Sequence, residues 1–104
     1  MMTHYILREK IPVLVPDILE WAELFGISDN RIARTFLDGD IEISTVFLGM
    51  DHQWIPKGPP LVFETMIFNG VHDGEQWRYS TWDEAEAGHA AAVAHAALPT
   101  CEET

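Results

Sequence analysis

The chain has 104 residues, 47% of them apolar, with 17 acidic and 6 basic side chains and a formal net charge of −11. That length fits one small domain with a single core, and the apolar share excludes a disordered chain. So few Lys and Arg exclude unaided nucleic-acid binding, because phosphate contacts depend on them.

Tyr5-Ile6-Leu7 is a short apolar run that reads as a first strand, with Pro12-Val13-Leu14-Val15 as an extension held to an edge or a loop by Pro12 and Pro16. Asp17 is a good N-cap, Glu20 follows it at capping-box spacing, and Ile18, Trp21, Leu24 and Phe25 recur at helical intervals. A short helix over 17–25, stopped by Gly26, follows. Residues 31–37 form a strand, Asp38-Gly39-Asp40 a tight turn, and 41–49 the return strand, with Ile41, Ile43, Thr45 and Phe47 on one face. That strand is apolar on both faces at its far end, which suits a central position. A proline- and glycine-containing loop over 51–60 leads to a third long strand, 61–68, and a shorter one over 75–79. Thr81-Trp82-Asp83-Glu84 is a capping box, and the alanine-rich run to Ala97 is strongly helical until Pro99. Trp82, Ala85, His89, Ala92, Val93 and Ala96 share the helix edge that faces the sheet.

The order β-α-β-β-β-β-α, with short connections, predicts an α+β fold. Its sheet has four to five antiparallel strands, one face covered by the C-terminal helix. Residues 1–98 read as one globular domain and 99–104 as a frayed tail. The single cysteine, Cys101, allows no internal disulfide and fits a reducing compartment. The amino terminus has no signal-peptide pattern, and no apolar run approaches the roughly 18–20 residues of a membrane helix. The expectation is a soluble, cytoplasmic protein with no membrane contact.

Chemistry-bearing residues are sparse. There is no glycine-rich phosphate loop, no nucleophile elbow and no HExxH or CxxC spacing. Two histidines stand beside aspartates, Asp51-His52 and His72-Asp73. In an antiparallel sheet these pairs fall at opposite ends, roughly 20 Å apart at about 3.3 Å per residue, so they cannot share one ion. A different cluster can be built: Glu64 lies about 10 Å into its strand and His89 about 10 Å into the last helix. If Glu64 faces the helix, it meets His89 between the layers, either as a buried structural pair or as a pocket whose rim is Asp51 and His52. Glu64, His89, Asp51 and His52 are therefore the candidate catalytic or metal-ligating set. Asp51-His52 has a competing role as the cap that ends a central strand and orders the following loop. His95 is placed on the outer side of the helix, and Trp54 and Trp77 are candidate exposed interface aromatics.

Three strings carry a resemblance: Thr45-Val46-Phe47-Leu48-Gly49-Met50-Asp51-His52, then Phe63-Glu64-Thr65-Met66-Ile67-Phe68, then Arg78-Tyr79-Ser80-Thr81 with Gly88-His89. Together they resemble a family of small uncharacterised proteins from tailed phages and prophages, over most of the chain. The resemblance implies a phage origin and cytoplasmic residence in the host cell. It implies no catalytic role and assigns no site residues.

Two functional readings follow. The first is a small acidic accessory protein of phage type, not an enzyme and without a cofactor. It would bind a host or phage protein and modulate a host or anti-phage defence process, with a homodimer compatible. Its −11 charge suits solubility, docking onto a basic partner or mimicry of nucleic-acid charge. The second is a small metal- or ligand-binding protein or hydrolase built on Glu64, His89, Asp51 and His52, with His89 as base or ligand.

Overall fold

A computed structural model describes residues 3–51 and 58–97. The elements are β1 (Thr3–Arg8), β2 (Ile11–Leu14), α1 (Ile18–Ile27), β3 (Arg31–Leu37), β4 (Ile41–Phe47), β5 (Met50–Asp51), β6 (Phe63–Phe68), β7 (Gln76–Tyr79) and α2 (Trp82–Ala97). The class is α+β, as the pattern predicts. The strands divide between two antiparallel sheets, a three-stranded β2-β1-β5 and a four-stranded β3-β4-β6-β7. The frayed tail expected over 99–104 lies outside the described residues.

The division has a local cause. The strand expected over 41–49 is broken at Gly49, whose φ of +77° turns the chain out of the larger sheet. Met50 and Asp51 then pair with His4 and Thr3 of β1. The N-terminal segment also differs from expectation. β1 and β2 form a true hairpin, Tyr5 opposite Leu14 through Arg8 opposite Ile11, around Glu9 and Lys10, both with positive φ. Pro12 sits in β2, an edge strand, where its missing N–H costs no ladder bond.

In the larger sheet Thr35, Ile43, Thr45, Phe47, Phe63, Thr65 and Ile67 face α2. Alternation turns Arg34, Phe36, Glu42, Val46, Glu64, Met66, Phe68 and Arg78 to the other side. α2 lays Ala85, His89 and Ala92, all buried, onto the inner face. Its start is the expected reciprocal capping box. The Glu84 N–H donates to Thr81 Oγ1 at 3.1 Å, and Glu84 Oε1 accepts from the Thr81 N–H at 3.2 Å. α1 is capped by Asp17, which accepts from Leu19 N at 2.9 Å, and it runs past Gly26 to Ile27.

Among the described residues two clusters make up most of the core. Phe47, Val62, Phe63 and Ala85 make the first, with Tyr5, Leu7, Phe25, Ile32, Tyr79 and Trp82 around them, so this cluster joins the two sheets. Ile43, Ile67 and Ala92 make the second. Each fully buried Phe or Ile here contributes about 1.5–3 kcal/mol relative to exposure.

Candidate functional site

Of the four predicted site residues, the structure describes three, and it separates them. His89 is buried under the helix, with Nε2 at 2.9 Å from Thr35 Oγ1 and Nδ1 at 2.7 Å from Thr45 Oγ1. Thr45 in turn shares a 2.5 Å hydrogen bond with Thr65. Both ring nitrogens are thus held in a chain of hydroxyls, each of which can donate or accept. Burial pushes the His89 imidazole below its ordinary range, because the charged form would lose its hydration.

Glu64 corrects the expected pairing. It lies on the opposite face of β6 from Thr65, and therefore on the opposite side of the sheet from His89. There it accepts from Arg78 Nε at 3.1 Å, directly across from it on β7. A carboxylate beside a neutral buried imidazole would be desolvated without a counter-charge. The outer face gives it Arg78 instead. The expected Glu64–His89 pair is therefore not formed. Glu64→Gln accordingly costs about 1 kcal/mol or less, the scale of a partly solvated ion pair. A buried pair broken in the core would cost about 3–5 kcal/mol. Urea unfolding of the variant distinguishes the two values.

Asp51 is buried in β5, an edge strand of the smaller sheet rather than the end of a central strand, and accepts from Leu61 N–H at 3.3 Å. His52 and Trp54 lie outside the described residues. Trp77 is partly exposed, at 37%.

What the sequence reading missed is the N-terminal surface. Ile11, Val13 and Leu14 of β2 and Ile18, Leu19 and Ile27 of α1 are all exposed, Leu19 and Ile27 at 79% and 81%. Trp21, Leu24 and Phe25 turn inward; Trp21 Nε1 donates to Tyr5 O at 2.8 Å, and its ring stacks on Phe25. α1 therefore spends one stripe on the core and leaves Leu19, Ala22, Gly26 and Ile27 outward at i, i+3, i+7 and i+8. The helix carries no basic residue. Asp17, Glu20 and Asp29 stand near the outward stripe, and Glu23, four residues from both Leu19 and Ile27, lies on it.

No family model, curated protein or solved structure matches this chain. Its function has to be read from its own surfaces. Among the described residues no helix is long and apolar enough to cross a membrane. A second apolar spot, Phe36 and Phe68 on the outer face of the sheet, is interleaved with charge. Glu42 lies between the two in register, Arg34 bonds Glu42 at 2.7 Å and Arg34 stacks over Phe36. That face is already partnered in part, unlike the stripe on α1.

Proposed function

We propose that the protein works by binding another protein through the outward stripe of α1 and the adjoining edge of β2, as a phage-type accessory factor. One observation carries the reading. Six large apolar side chains, from Ile11 to Ile27, stand exposed on one hairpin–helix segment, and those of α1 are accompanied by carboxylates. Large apolar side chains left exposed close together in the chain and bordered by polar groups are candidates for an interaction site. The acidic rim, together with the net −11, selects a partner whose apolar groove is edged with Lys and Arg. A host or phage protein of that description is the expected ligand, and modulation of a host or defence process is the expected consequence.

The test uses the untagged full chain. Stoichiometric partners are recovered from host lysate, and the complex mass is measured by light scattering. Leu19→Asp and Ile27→Asp, both at largely exposed positions, should leave the melting temperature nearly unchanged and weaken the complex at least tenfold, about 1.4 kcal/mol or more. Retention of the same complex by both variants refutes the surface. A stable dimer of the chain alone, lost in the same variants, would replace the outside partner by a second copy.

A further inference from the structure

We propose that His72, Glu75 and His95 form a binding site for one divalent first-row transition ion, zinc foremost, at the end of a groove between α2 and β7. None of the three belongs to the partner surface on α1, so the site stands or falls independently of it. His72 and Glu75 are in the turn between β6 and β7, and His95 is in the last turn of α2. His72 Nδ1 stands 2.7 Å from Glu75 Oε2, and His95 Nε2 stands 2.9 Å from Glu75 Oε1. The two imidazole centroids are 4.0 Å apart, and one ligand atom from each of the three residues falls within a 4.8 Å span. Zinc bonds to nitrogen and carboxylate oxygen are about 2.0–2.2 Å long, which sets tetrahedral ligand atoms about 3.3–3.6 Å apart. Small side-chain rotations therefore close the trio on an ion, which replaces the hydrogens now bridging Glu75 to its two neighbours.

The supports are ordered. The turn is held by Gly74 N–H donating to Ile67 O at 2.8 Å and Glu75 N–H to His72 O at 3.1 Å. His95 rides on a helix anchored through Ala92 in the core and takes an edge contact from Trp77. Hydrogen bonding from His72 is the main influence holding the Glu75 carboxyl below its ordinary range; burial opposes it, and the weaker effect of the His95 hydrogen bond adds to it. Two imidazoles and one carboxylate suit zinc and its neighbours in the first row. They also leave coordination positions open, as in sites that bind an external ligand. His95 also lines a groove of about 460 Å³ walled by Trp77, Tyr79, Gly88 and Ala91. An ion held by the trio would sit at the mouth of that groove.

The experiment is calorimetric titration of zinc chloride into untagged full-length protein. The background is Cys101→Ser, which removes the one thiol. One ion per chain is expected, with affinity falling on the order of tenfold or more in His72→Gln and in His95→Gln and unchanged in His4→Gln. The ring-proton resonances of His72 and His95 should move together on titration, while far-UV circular dichroism confirms that each variant is folded. Absence of stoichiometric binding, or binding undiminished in both variants, overturns the site and leaves the trio a surface hydrogen-bonded cluster only.

Discussion

Replacing His89 by alanine should cost about 3–5 kcal/mol of unfolding free energy, among the largest effects of any single change in this chain. Two losses add. The ring leaves a cavity beneath α2, and Thr35 and Thr45 lose the nitrogens that their hydroxyls face at 2.9 and 2.7 Å. Threonine pairs elsewhere in the sheet cannot compensate, because Thr45 is fully buried and its remaining neighbour in the chain is Thr65. A pH dependence accompanies the loss. In the unfolded chain the imidazole protonates near its ordinary 6.5; in the fold burial resists that charge, so the unfolded state binds more protons. The stability that depends on neutral His89 is thus complete above about pH 6.5 and is lost progressively below it. Glu75 is also held low, but its carboxyl has an ordinary value of 4.5, so it acts only in a more acidic window. Urea unfolding at pH 7.5 and 5.5 should show wild type losing more stability than His89→Gln, which fills much of the site without titrating. Equal losses in the two proteins would mean that His89 takes up its proton in the fold as readily as in the unfolded chain.

The legible parts of this fold are those where one residue type has one physical use. The period-2 apolar pattern of β4, the reciprocal Thr81–Glu84 cap and the Ala85–His89–Ala92 edge of α2 are visible in the sequence and stand in the structure. The hairpin at Glu9-Lys10 was not legible. Turns with two positive φ angles are signalled by Asn and Gly, and here a Glu-Lys pair adopts them. The facing of β6 was undetermined for a different reason. LVFETMIF is apolar in both phases, so periodicity alone cannot say whether Glu64 or Thr65 points inward. Energetics could have decided it, since a threonine hydroxyl satisfied by another threonine is far cheaper to bury than a carboxylate. The His72–Glu75–His95 trio was within reach of the same height reckoning that paired Glu64 with His89. His95 lies thirteen residues past the start of α2 at Trp82, about 20 Å along it at 1.5 Å per residue, level with the turn that carries His72. Assigning His95 to the outer face of the helix hid that coincidence. The exposed α1 stripe escaped because Leu19 and Ile27 look like core residues until the inward face is known to be taken by Trp21, Leu24 and Phe25.

Gly49→Ala should cost about 2–5 kcal/mol, because two independent penalties fall on one position. At φ +77° a side chain pays about 1–2 kcal/mol for the left-handed region. The added Cβ would also fall into the Phe25 ring, which is stacked on Trp21 and packed against Phe47, so it has little room to retreat. Relief by backbone movement is resisted as well: Gly49 O accepts from Tyr5 N–H at 2.7 Å, the bond that begins the pairing of β5 with β1. Two other glycines separate the penalties. Gly26 in α1 has open space around it and no positive φ, so Gly26→Ala should gain up to about 1 kcal/mol of helix propensity. Gly88 in α2 also has no positive φ, but a Cβ there would strike the Tyr79 ring, so Gly88→Ala should destabilise despite its better propensity. Thermal and urea unfolding of the three variants then orders them Gly26→Ala, Gly88→Ala, Gly49→Ala from most to least stable. If Gly49→Ala matched Gly26→Ala, the hinge between the two sheets would be looser than this geometry requires, and the contact of α1 with the core would not depend on it.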